Sequence, residues 1–288
     1  MSIDIKILGS TPISQIADSW NKAFSDYAVK IDMTEERLLS FFRQNSVRFD
    51  LSMGAFDGNR LVGLWMNGVR TIDGLLTAYD SGTAIWPEFR SMGISKQLAA
   101  KSNETLKKAG VGSYVLEVLA ENDRAFNIYK KDGFEVTRNF ICFQTTAPVS
   151  KIIKEMSDVE FRMGFIDEKI AAGLPKTEYM PSWQNQTESL LQIRGGIQVV
   201  TAWQNGNIIG FGTMQAERGR IPQIGFLPDR WNTELAPVLL AMLCNIVEPC
   251  KEIAVINVED TAAKTIELLK RHGFTEMTRQ YEMKKSLI

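Results

Sequence analysis

The stretch from Ile85 to Leu98 constrains the fold more than any other part of the sequence. Its sequence is IWPEFRSMGISKQL, in which an apolar strand end, a proline and an arginine come before Gly93, Ser95 and an amphipathic helix. The first turn of a helix has backbone N–H groups without intrahelical partners and carries the positive end of the helix dipole. The stretch therefore predicts a strand-to-helix connection that can bind a diphosphate.

The residues around this stretch predict a mixed fold for the first half of the chain. Two alternating apolar runs are joined by Asp57-Gly58-Asn59, which is typical of a β-hairpin. Gly133 follows a short helical pattern and suits the residue after a helix end. Strands are predicted over 3–9, 50–58, 59–68, 75–86, 114–120 and 135–144, and helices over 12–28, 34–45, 94–109 and 122–134.

Composition removes several classes of function. The 288 residues carry a formal net charge of -1, so no overall positive field is available for nucleic acid or an anionic membrane. His272 is the only histidine, which argues against histidine triads and most zinc sites, and no metal is expected. Cys142, Cys244 and Cys250 lack CxxC spacing, and neither a signal-peptide pattern nor a run of about 18 apolar residues occurs. A soluble cytoplasmic protein is expected.

Two motifs in this order resemble a known family. The first is the stretch 85–98, with its proline, arginine, glycine and small residue ahead of the helix. The second follows about two dozen residues later and comprises Leu116-Glu117-Val118, Asn122, Ala125, Tyr129 and Gly133-Phe134. Together they resemble the GCN5-related N-acetyltransferase (GNAT) superfamily over nearly all of residues 3–147. The resemblance implies an α/β fold with a mixed, mostly antiparallel central sheet flanked by helices.

The resemblance also implies acetyl-CoA as cosubstrate. In this superfamily the diphosphate lies on the glycine-containing loop and the helix N-terminus, and the pantetheine arm pairs with the preceding strand. Ser91 and Ser95 stand where glycine is common, which matters only if either position requires a positive φ or close backbone approach. The implied cofactor-binding residues are Ile85, Trp86, Pro87, Arg90, Ser91, Met92, Gly93, Ile94, Ser95, Lys96, Asn122, Ala125 and Tyr129.

Three residues are candidates for acid and base chemistry. Tyr129 occupies the superfamily position of the general acid near the CoA sulfur, although it can also be an aromatic that packs inward. Glu117 lies twelve residues earlier on an apolar strand, a spacing similar to that of ribosomal-protein N-terminal acetyltransferases, in which the glutamate is the base. A structural role for Glu117, paired with a lysine or water, is the alternative. Asp80, on the strand before the anion loop, is the rival base.

The second half of the chain is similar to a degenerate copy of the first. The hairpin sequence around Ala55 recurs 147 positions later around Ala202. The helix end at Gly133 recurs 140 positions later at Gly273. A helix is predicted over 181–194. At the offset of 140 the proposed functional residues are lost, because Tyr129, Glu117 and Asn122 become Leu269, Asn257 and Ala262. The sequence therefore predicts a catalytic domain over 1–147 and a degenerate GNAT-like domain over 151–288 without its own acetyl-CoA site.

These observations predict an N-acetyltransferase that moves an acetyl group to a primary amine by direct attack, with one active site in the first half. The alternative is a non-catalytic acyl-CoA-binding or scaffold protein. The acceptor is expected to be a small-molecule or peptide amine, beside early helices that carry Phe24, Tyr27 and Phe41. The chain is expected to be a monomer or homodimer, without nucleic acid or membrane partners.

Overall fold

The computed structural model describes residues 3–26, 33–146, 156–231, 234–248 and 251–288. Tyr27, Cys250 and the predicted connection at 148–150 lie outside these residues. The chain divides into two compact units, and each unit contains a segment from the other half of the chain. The first unit comprises Met1–Glu117, Arg124–Thr137 and Glu282–Ile288, and the second comprises Val118–Asp123 and Arg138–Tyr281. The contiguous domains 1–147 and 151–288, with their separate roles, stay a prediction.

The described helices and strands alternate along the chain. The helices are α1 (Ile13–Ala23), α2 (Glu35–Gln44), α3 (Ile94–Lys108), α4 (Asp123–Lys131), α5 (Glu168–Gly173), α6 (Thr187–Gln192), α7 (Leu235–Cys244) and α8 (Ala263–Arg271). The strands are β1 (Ile3–Ile7), β2 (Met53–Asp57), β3 (Arg60–Ile72), β4 (Leu75–Ile85), β5 (Ser113–Leu119), β6 (Glu135–Thr145), β7 (Glu160–Phe165), β8 (Gln198–Gln204), β9 (Asn207–Met214), β10 (Ile224–Phe226), β11 (Ile253–Glu259) and β12 (Thr275–Ser286).

The sheet of the first unit positions the candidate site. Its strands run in the order β1-β2-β3-β4-β5, followed by the C-terminal part of β12. The pairs from β1 to β4 are antiparallel, and β4 pairs with β5 in parallel. The predicted hairpin at Asp57-Gly58-Asn59 is confirmed as the β2–β3 turn. The expected mixed, mostly antiparallel sheet flanked by helices is confirmed.

The helices of the first unit follow from their apolar spacing. Ile13, Ile16 and Trp20 recur at helical intervals, so α1 presents one apolar face, on which Ile16 and Trp20 are buried. In α2, which the sequence predicts from residue 34 onward, the Thr34 hydroxyl accepts a hydrogen bond from the backbone N–H of Arg37 at 3.3 Å and so caps the helix. Both helices pack their buried residues into one core with the sheet.

The second unit repeats part of this architecture. Its four-stranded sheet has the order β10-β9-β8-β7 with antiparallel pairs, and β11 pairs with β6. The β8–β9 hairpin turns at Asn205 and Gly206, which confirms the hairpin recurrence predicted from the offset of 147. Helix α7 is apolar on most sides, and its residues are largely buried in the core of this unit.

Candidate active site

The two central strands of the first unit diverge beside the predicted anion loop. Within residues 33–146, which the structure describes without a break, the β4–β5 ladder consists of three residue pairs and ends at Tyr79 and Val115. In β4, Ser81 is the extra residue of a β-bulge, since Asp80 pairs with Asn67 and Gly82 with Met66. A bulge re-aims neighbouring side chains and interrupts pairing. The divergence exposes backbone N–H and C=O groups to a linear ligand.

Asp80 lies at this point of divergence and is buried, with 8% of its surface exposed. Its carboxylate accepts hydrogen bonds from the Gly82 backbone N–H at 3.0 Å, the Thr83 hydroxyl at 2.9 Å and the Tyr129 hydroxyl at 3.1 Å. Burial raises the pKa of Asp80 to about 6, although these hydrogen bonds and the charge of Lys285 act in the opposite direction. Asp80 therefore titrates close to neutral pH.

Tyr129 reaches Asp80 from α4. Its ring packs on Phe134 with the ring centroids 5.7 Å apart. Burial and then the negative charge of Asp80 raise the pKa of Tyr129 well above its usual range. The hydroxyl therefore keeps its proton at neutral pH and is available as a donor.

Glu117 contacts a different tyrosine. It lies on β5 and is half-buried, and the Tyr79 hydroxyl donates a hydrogen bond to it. Burial and then the charge of Glu117 raise the pKa of Tyr79 well above its ordinary value, and the charges of Asp80 and Glu282 add to this effect. The structure thus joins Tyr129 to Asp80 and Glu117 to Tyr79.

The loop ahead of α3 has the backbone conformation of an anion site. Gly93 precedes the helix in the left-handed region, with φ of 75° and ψ of 10°. Among the described residues α3 has no side-chain cap, and its first turn carries no acidic residue. The backbone N–H groups of Ile94, Ser95 and Lys96 are in the first turn, where a helix leaves donors for an anion. These residues fit the diphosphate of acetyl-CoA.

The two serines that replace glycine in this loop differ in backbone conformation. Ser91 has φ of 66°, whereas Ser95 lies inside the first turn of α3. A non-glycine residue at positive φ costs on the order of 1–3 kcal/mol, while glycine inside a helix costs up to about 1 kcal/mol. Only Ser91 therefore stands where glycine has a conformational reason to be preferred.

Replacing each serine by glycine is expected to have opposite effects on stability. Ser91→Gly relieves the positive φ, and the free energy of unfolding should stay the same or rise by up to about 1 kcal/mol. Ser95→Gly should lower it by about 0.5–1 kcal/mol, because glycine disfavours the helix. Urea denaturation of the two variants measures both values, and a loss on Ser91→Gly as large as that on Ser95→Gly would contradict the expectation.

Arg90 holds the loop against the end of α1. Its Nε donates to the Ile85 carbonyl at 3.1 Å, and its guanidinium donates to the Ala23 carbonyl at 2.7 Å and pairs with Asp26. The hydrogen bond from Arg90 lowers the pKa of Asp26. The charge of Arg90 is thus already paired within the first unit.

The other implied cofactor residues lie around the same loop and the turn before α4. Trp86 is directed toward α1, where its Nε1 donates to the Ser19 carbonyl at 3.2 Å. Pro87 begins a short 3-10 turn, and Met92 is exposed. The Asn122 backbone N–H donates to the Leu119 carbonyl at 3.0 Å in the turn before α4. Ala125 lies in α4 and is half-buried. Their contacts with acetyl-CoA stay predictions.

An aromatic cluster that includes the helix residues predicted beside the acceptor packs against β4 at Gly82, two residues after Asp80. The Trp20 ring contacts Phe24 and Phe41, with ring centroids 5.1 and 5.8 Å apart. A Cβ atom on Gly82 would lie 2.5 Å from the Trp20 indole, so only glycine allows this close approach to β4. The two predicted phenylalanines therefore belong to a cluster centred on Trp20, which sequence reasoning did not single out.

Sequence reasoning also missed a buried polar network behind the bulge. The Trp65 indole N–H donates to the Tyr114 hydroxyl, which donates to the Asn67 side chain. Asn67 in turn donates to the Ser102 hydroxyl at 2.8 Å. Asn67 pairs with Asp80 across the ladder, so this network fixes the strand that positions the candidate site. Side-chain partners this far apart in sequence leave no local signal.

Lys285 was also missed, because the sequence assigns it to the second half. It belongs to the segment Glu282–Ile288 of the first unit and is buried. A signal was present, since Met283, Lys285 and Leu287 alternate along a strand and all three are buried. A lysine between two apolar residues on an inward face indicates a buried charge.

In the second unit, a segment of the chain lies across the corresponding strands. Thr177 forms an antiparallel bridge with Gly225 of β10. The Asn185 side chain donates to the Ile256 carbonyl of β11 at 3.0 Å, and the Gln223 side chain donates to the Asn185 carbonyl at 2.7 Å. Residues 177–185 thus hydrogen-bond to both strands that would flank a cofactor in this unit.

This segment also changes one sequence expectation and accounts for the burial of Asn257. The helix predicted over 181–194 is wrong in length, because α6 begins only at Thr187, after Ser182 and Asn185 have bonded to β11. Asn257, which replaces Glu117 in the repeat, is fully buried, has φ of 61° and donates to the Ser182 hydroxyl at 3.0 Å.

The N-terminus of α8 is occupied as well. The Glu178 carboxylate accepts hydrogen bonds from the backbone N–H groups of Lys264 and Thr265 at 3.1 and 2.8 Å. A carboxylate satisfies the same unpaired donors that an anionic ligand would use.

Two general properties of the described residues were also determined. None of the helices described combines the length and the apolar character required to cross a lipid bilayer. Across the same described ranges, no group of three or more histidine, cysteine, aspartate or glutamate side chains is arranged to hold a metal ion.

Comparison with known proteins gives a family match for the first half of the chain. Residues 13–134 match the model of the Acetyltransferase (GNAT) family. None of the curated proteins compared with the chain matches it significantly.

Solved structures match the fold over the whole chain. A tandem GNAT protein from the clavulanic acid biosynthesis pathway, solved without AcCoA, has a TM-score of 0.75 at 13% identity and covers 100% of this chain and 99% of its own. A GCN5-related N-acetyltransferase from Sphaerobacter thermophilus has a TM-score of 0.70 at 14% identity, with 99% and 96% covered. A putative acetyltransferase from Pyrococcus horikoshii has a TM-score of 0.65 at 15% identity, with 99% and 89% covered. Residues 13–134 thus match the GNAT family model, and the whole chain shares its fold with these acetyltransferase structures.

Proposed function

We propose that this protein transfers the acetyl group of acetyl-CoA to a primary amine at one site in the first unit. The hydrogen bond that the half-buried Tyr129 donates to Asp80 carries the proposal. It lies where β4 and β5 diverge, on the strand that leads to the uncapped N-terminus of α3. A proton donor, an open strand edge and an anion site are the parts that thioester aminolysis requires.

The proposed reaction is a direct transfer. The neutral amine attacks the thioester carbonyl, a C–N bond forms, and the C–S bond breaks to release the CoA thiolate. Glu117 accepts the proton that the amine loses, directly or through water. Tyr129 turns its single hydroxyl proton from Asp80 to the sulfur and donates it to the thiolate. These two proton transfers give the neutral products, an N-acetyl amide and the CoA thiol.

Asp80 is assigned a supporting role rather than that of the base. Gly82, Thr83 and Tyr129 already donate to its two oxygens. A carboxylate has about four lone-pair positions, so little capacity is left for an amine proton. Asp80 is better placed to orient the Tyr129 hydroxyl, and the less buried Glu117 is better placed to meet an incoming amine.

The contacts of residues 177–185 support a single site. Acetyl-CoA in the second unit would compete with Thr177 for β10, with Asn185 for β11 and with Glu178 for the start of α8. The Asn185 contact is buried, and removing it would leave a buried polar group without a partner, which costs about 1–3 kcal/mol. The first unit is therefore proposed as the only acetyl-CoA site.

A turnover assay tests the proposed function. The purified chain is mixed with acetyl-CoA and, in turn, a polyamine, an amino acid amide, an aminosugar and a peptide with a free N-terminus, and CoA thiol release is followed. We expect one class of amine to raise release above acetyl-CoA hydrolysis, and mass spectrometry to find the acetylated amine. Tight acetyl-CoA binding without turnover on any amine would instead favour the non-catalytic binding protein.

A further inference from the structure

Lys285 places a buried positive charge in the first unit, far along the chain from the other site residues. Only 6% of its side chain is exposed. Its neighbour Lys284 is exposed, as expected for alternate residues of a strand. Burying an ammonium group is unfavourable unless the charge is paired. The contacts of Lys285 therefore indicate what its burial supports.

The Lys285 ammonium group contacts the turn that follows α4. It forms an ion pair with the Asp132 carboxylate and lies 3.4 Å from the Asp132 carbonyl oxygen. It also lies over the Phe134 ring, 4.4 Å from the centroid, and 5.5 Å from the centroid of Tyr114. One cation thus contacts both residues that flank Gly133.

Asp132 and Phe134 are both hydrogen-bonded to Tyr129. The backbone N–H groups of Asp132 and Phe134 donate to the Tyr129 carbonyl at 3.1 and 3.0 Å. The Phe134 ring also packs on the Tyr129 ring. Any displacement of the turn is therefore passed to Tyr129, by its backbone and by its ring.

We propose that Lys285 is a positioning residue of the acetyl-transfer site, which holds the turn after α4, and through it Tyr129, in place and sets a positive charge near Asp80. This inference rests on the proposed function for its effect on turnover. The contacts themselves are independent of which amine is the acceptor.

The charge of Lys285 has a definite effect on Asp80. The charged groups that act on Lys285 are Asp132 after α4, Lys107 on α3 and Asp80 on β4. Those that lower the pKa of Asp80 are its three hydrogen-bond donors and Lys285. Removing the ammonium therefore raises the pKa of Asp80 above about 6, so its ionised form is lost at a higher pH than in the unmodified chain.

Three variants of the full chain test the proposal. Lys285→Met removes the charge, Lys285→Arg keeps it, and Lys284→Met makes the same change on the exposed side of the strand. For Lys285→Met we expect kcat to fall about tenfold or more, with KM for acetyl-CoA within about twofold, because Tyr129 is misplaced while the anion loop is untouched. The acid limb of the Lys285→Met pH–rate profile should move to higher pH. The acid limbs of Lys285→Arg and Lys284→Met should stay where the unmodified chain has its own.

Hydrogen exchange supplies a readout that needs no turnover. The Asp132 and Phe134 amides should exchange faster in Lys285→Met than in Lys284→Met. If the unmodified chain acetylates no amine, the proposed function fails, and unchanged exchange is then the result that overturns the positioning role. If the chain is active, the proposal is overturned when Lys285→Met keeps its acid limb and loses activity only in proportion to its unfolded fraction.

Discussion

Replacing Tyr129 by phenylalanine is expected to lower kcat by about 10²–10³-fold, with KM for acetyl-CoA changed by no more than about twofold. The substitution removes the hydroxyl that donates to Asp80 at 3.1 Å and keeps the ring that packs on Phe134. The leaving thiolate then loses its proton donor, while the anion loop is unchanged. Steady-state CoA release with the best amine measures both constants.

The matched control for this change is Tyr179→Phe. Tyr179 is a second tyrosine whose pKa burial raises, and it lies in the second unit. Its variant should keep kcat within about twofold, since losing one buried hydroxyl costs stability rather than transition-state contacts. If Tyr129→Phe retains more than a tenth of kcat while circular dichroism shows it folded, Tyr129 is not the general acid.

Replacing Glu117 by glutamine is expected to lower kcat/KM at pH 7 by about 10²-fold, and this loss should become smaller at high pH. An alkyl amine with a pKa near 10 is mostly protonated at pH 7, so the reaction needs a base there. As the pH approaches 10 the free amine becomes abundant and the need for Glu117 falls. The ratio of wild-type to variant kcat/KM should therefore shrink steadily from pH 7 to 10.

The Asp80→Asn variant distinguishes the proposed role of Asp80 from that of Glu117. Because the pKa of Asp80 is about 6 and Tyr129 donates to its ionised form, wild-type activity should fall as the pH drops through 6, and the asparagine variant should lose that acid limb. Its defect should not be compensated at high pH, because orienting Tyr129 does not depend on the protonation of the amine. Recovery of Asp80→Asn, with no recovery of Glu117→Gln, would assign the base to Asp80 instead.

Local patterns predicted much of the first unit. The hairpin at Asp57-Gly58-Asn59, the Thr34 cap of α2 and the start of α3 after Gly93 each depend on residues close together in the sequence. Turn and cap preferences act over such short distances and therefore leave a readable signal. The conformation of the loop that is proposed to bind the diphosphate could be anticipated for the same reason, since one loop and one helix end compose it.

Features that depend on distant residues were not predicted. The contact of Tyr129 with Asp80 spans 49 positions, and a β-bulge at Ser81 helps to aim the carboxylate. A bulge has no strong sequence pattern of its own, so Asp80 could be proposed as a base but not as the partner of Tyr129. Residues 181–185 were predicted as the start of a helix, because the hydrogen bonds from the segment 177–185 to β10 and β11 are long-range and leave no local pattern.

The assignment of Glu282–Ile288 to the first unit has a consequence for how the protein is made. A ribosome releases the chain from its N-terminus onward, and domains generally fold as units during synthesis. The first unit, however, lacks Lys285 until Arg138–Tyr281 has been translated. A nascent or prematurely terminated chain thus carries Tyr129 without the strand proposed to hold it, so we expect the proposed acetyl transfer only after both halves have been synthesised.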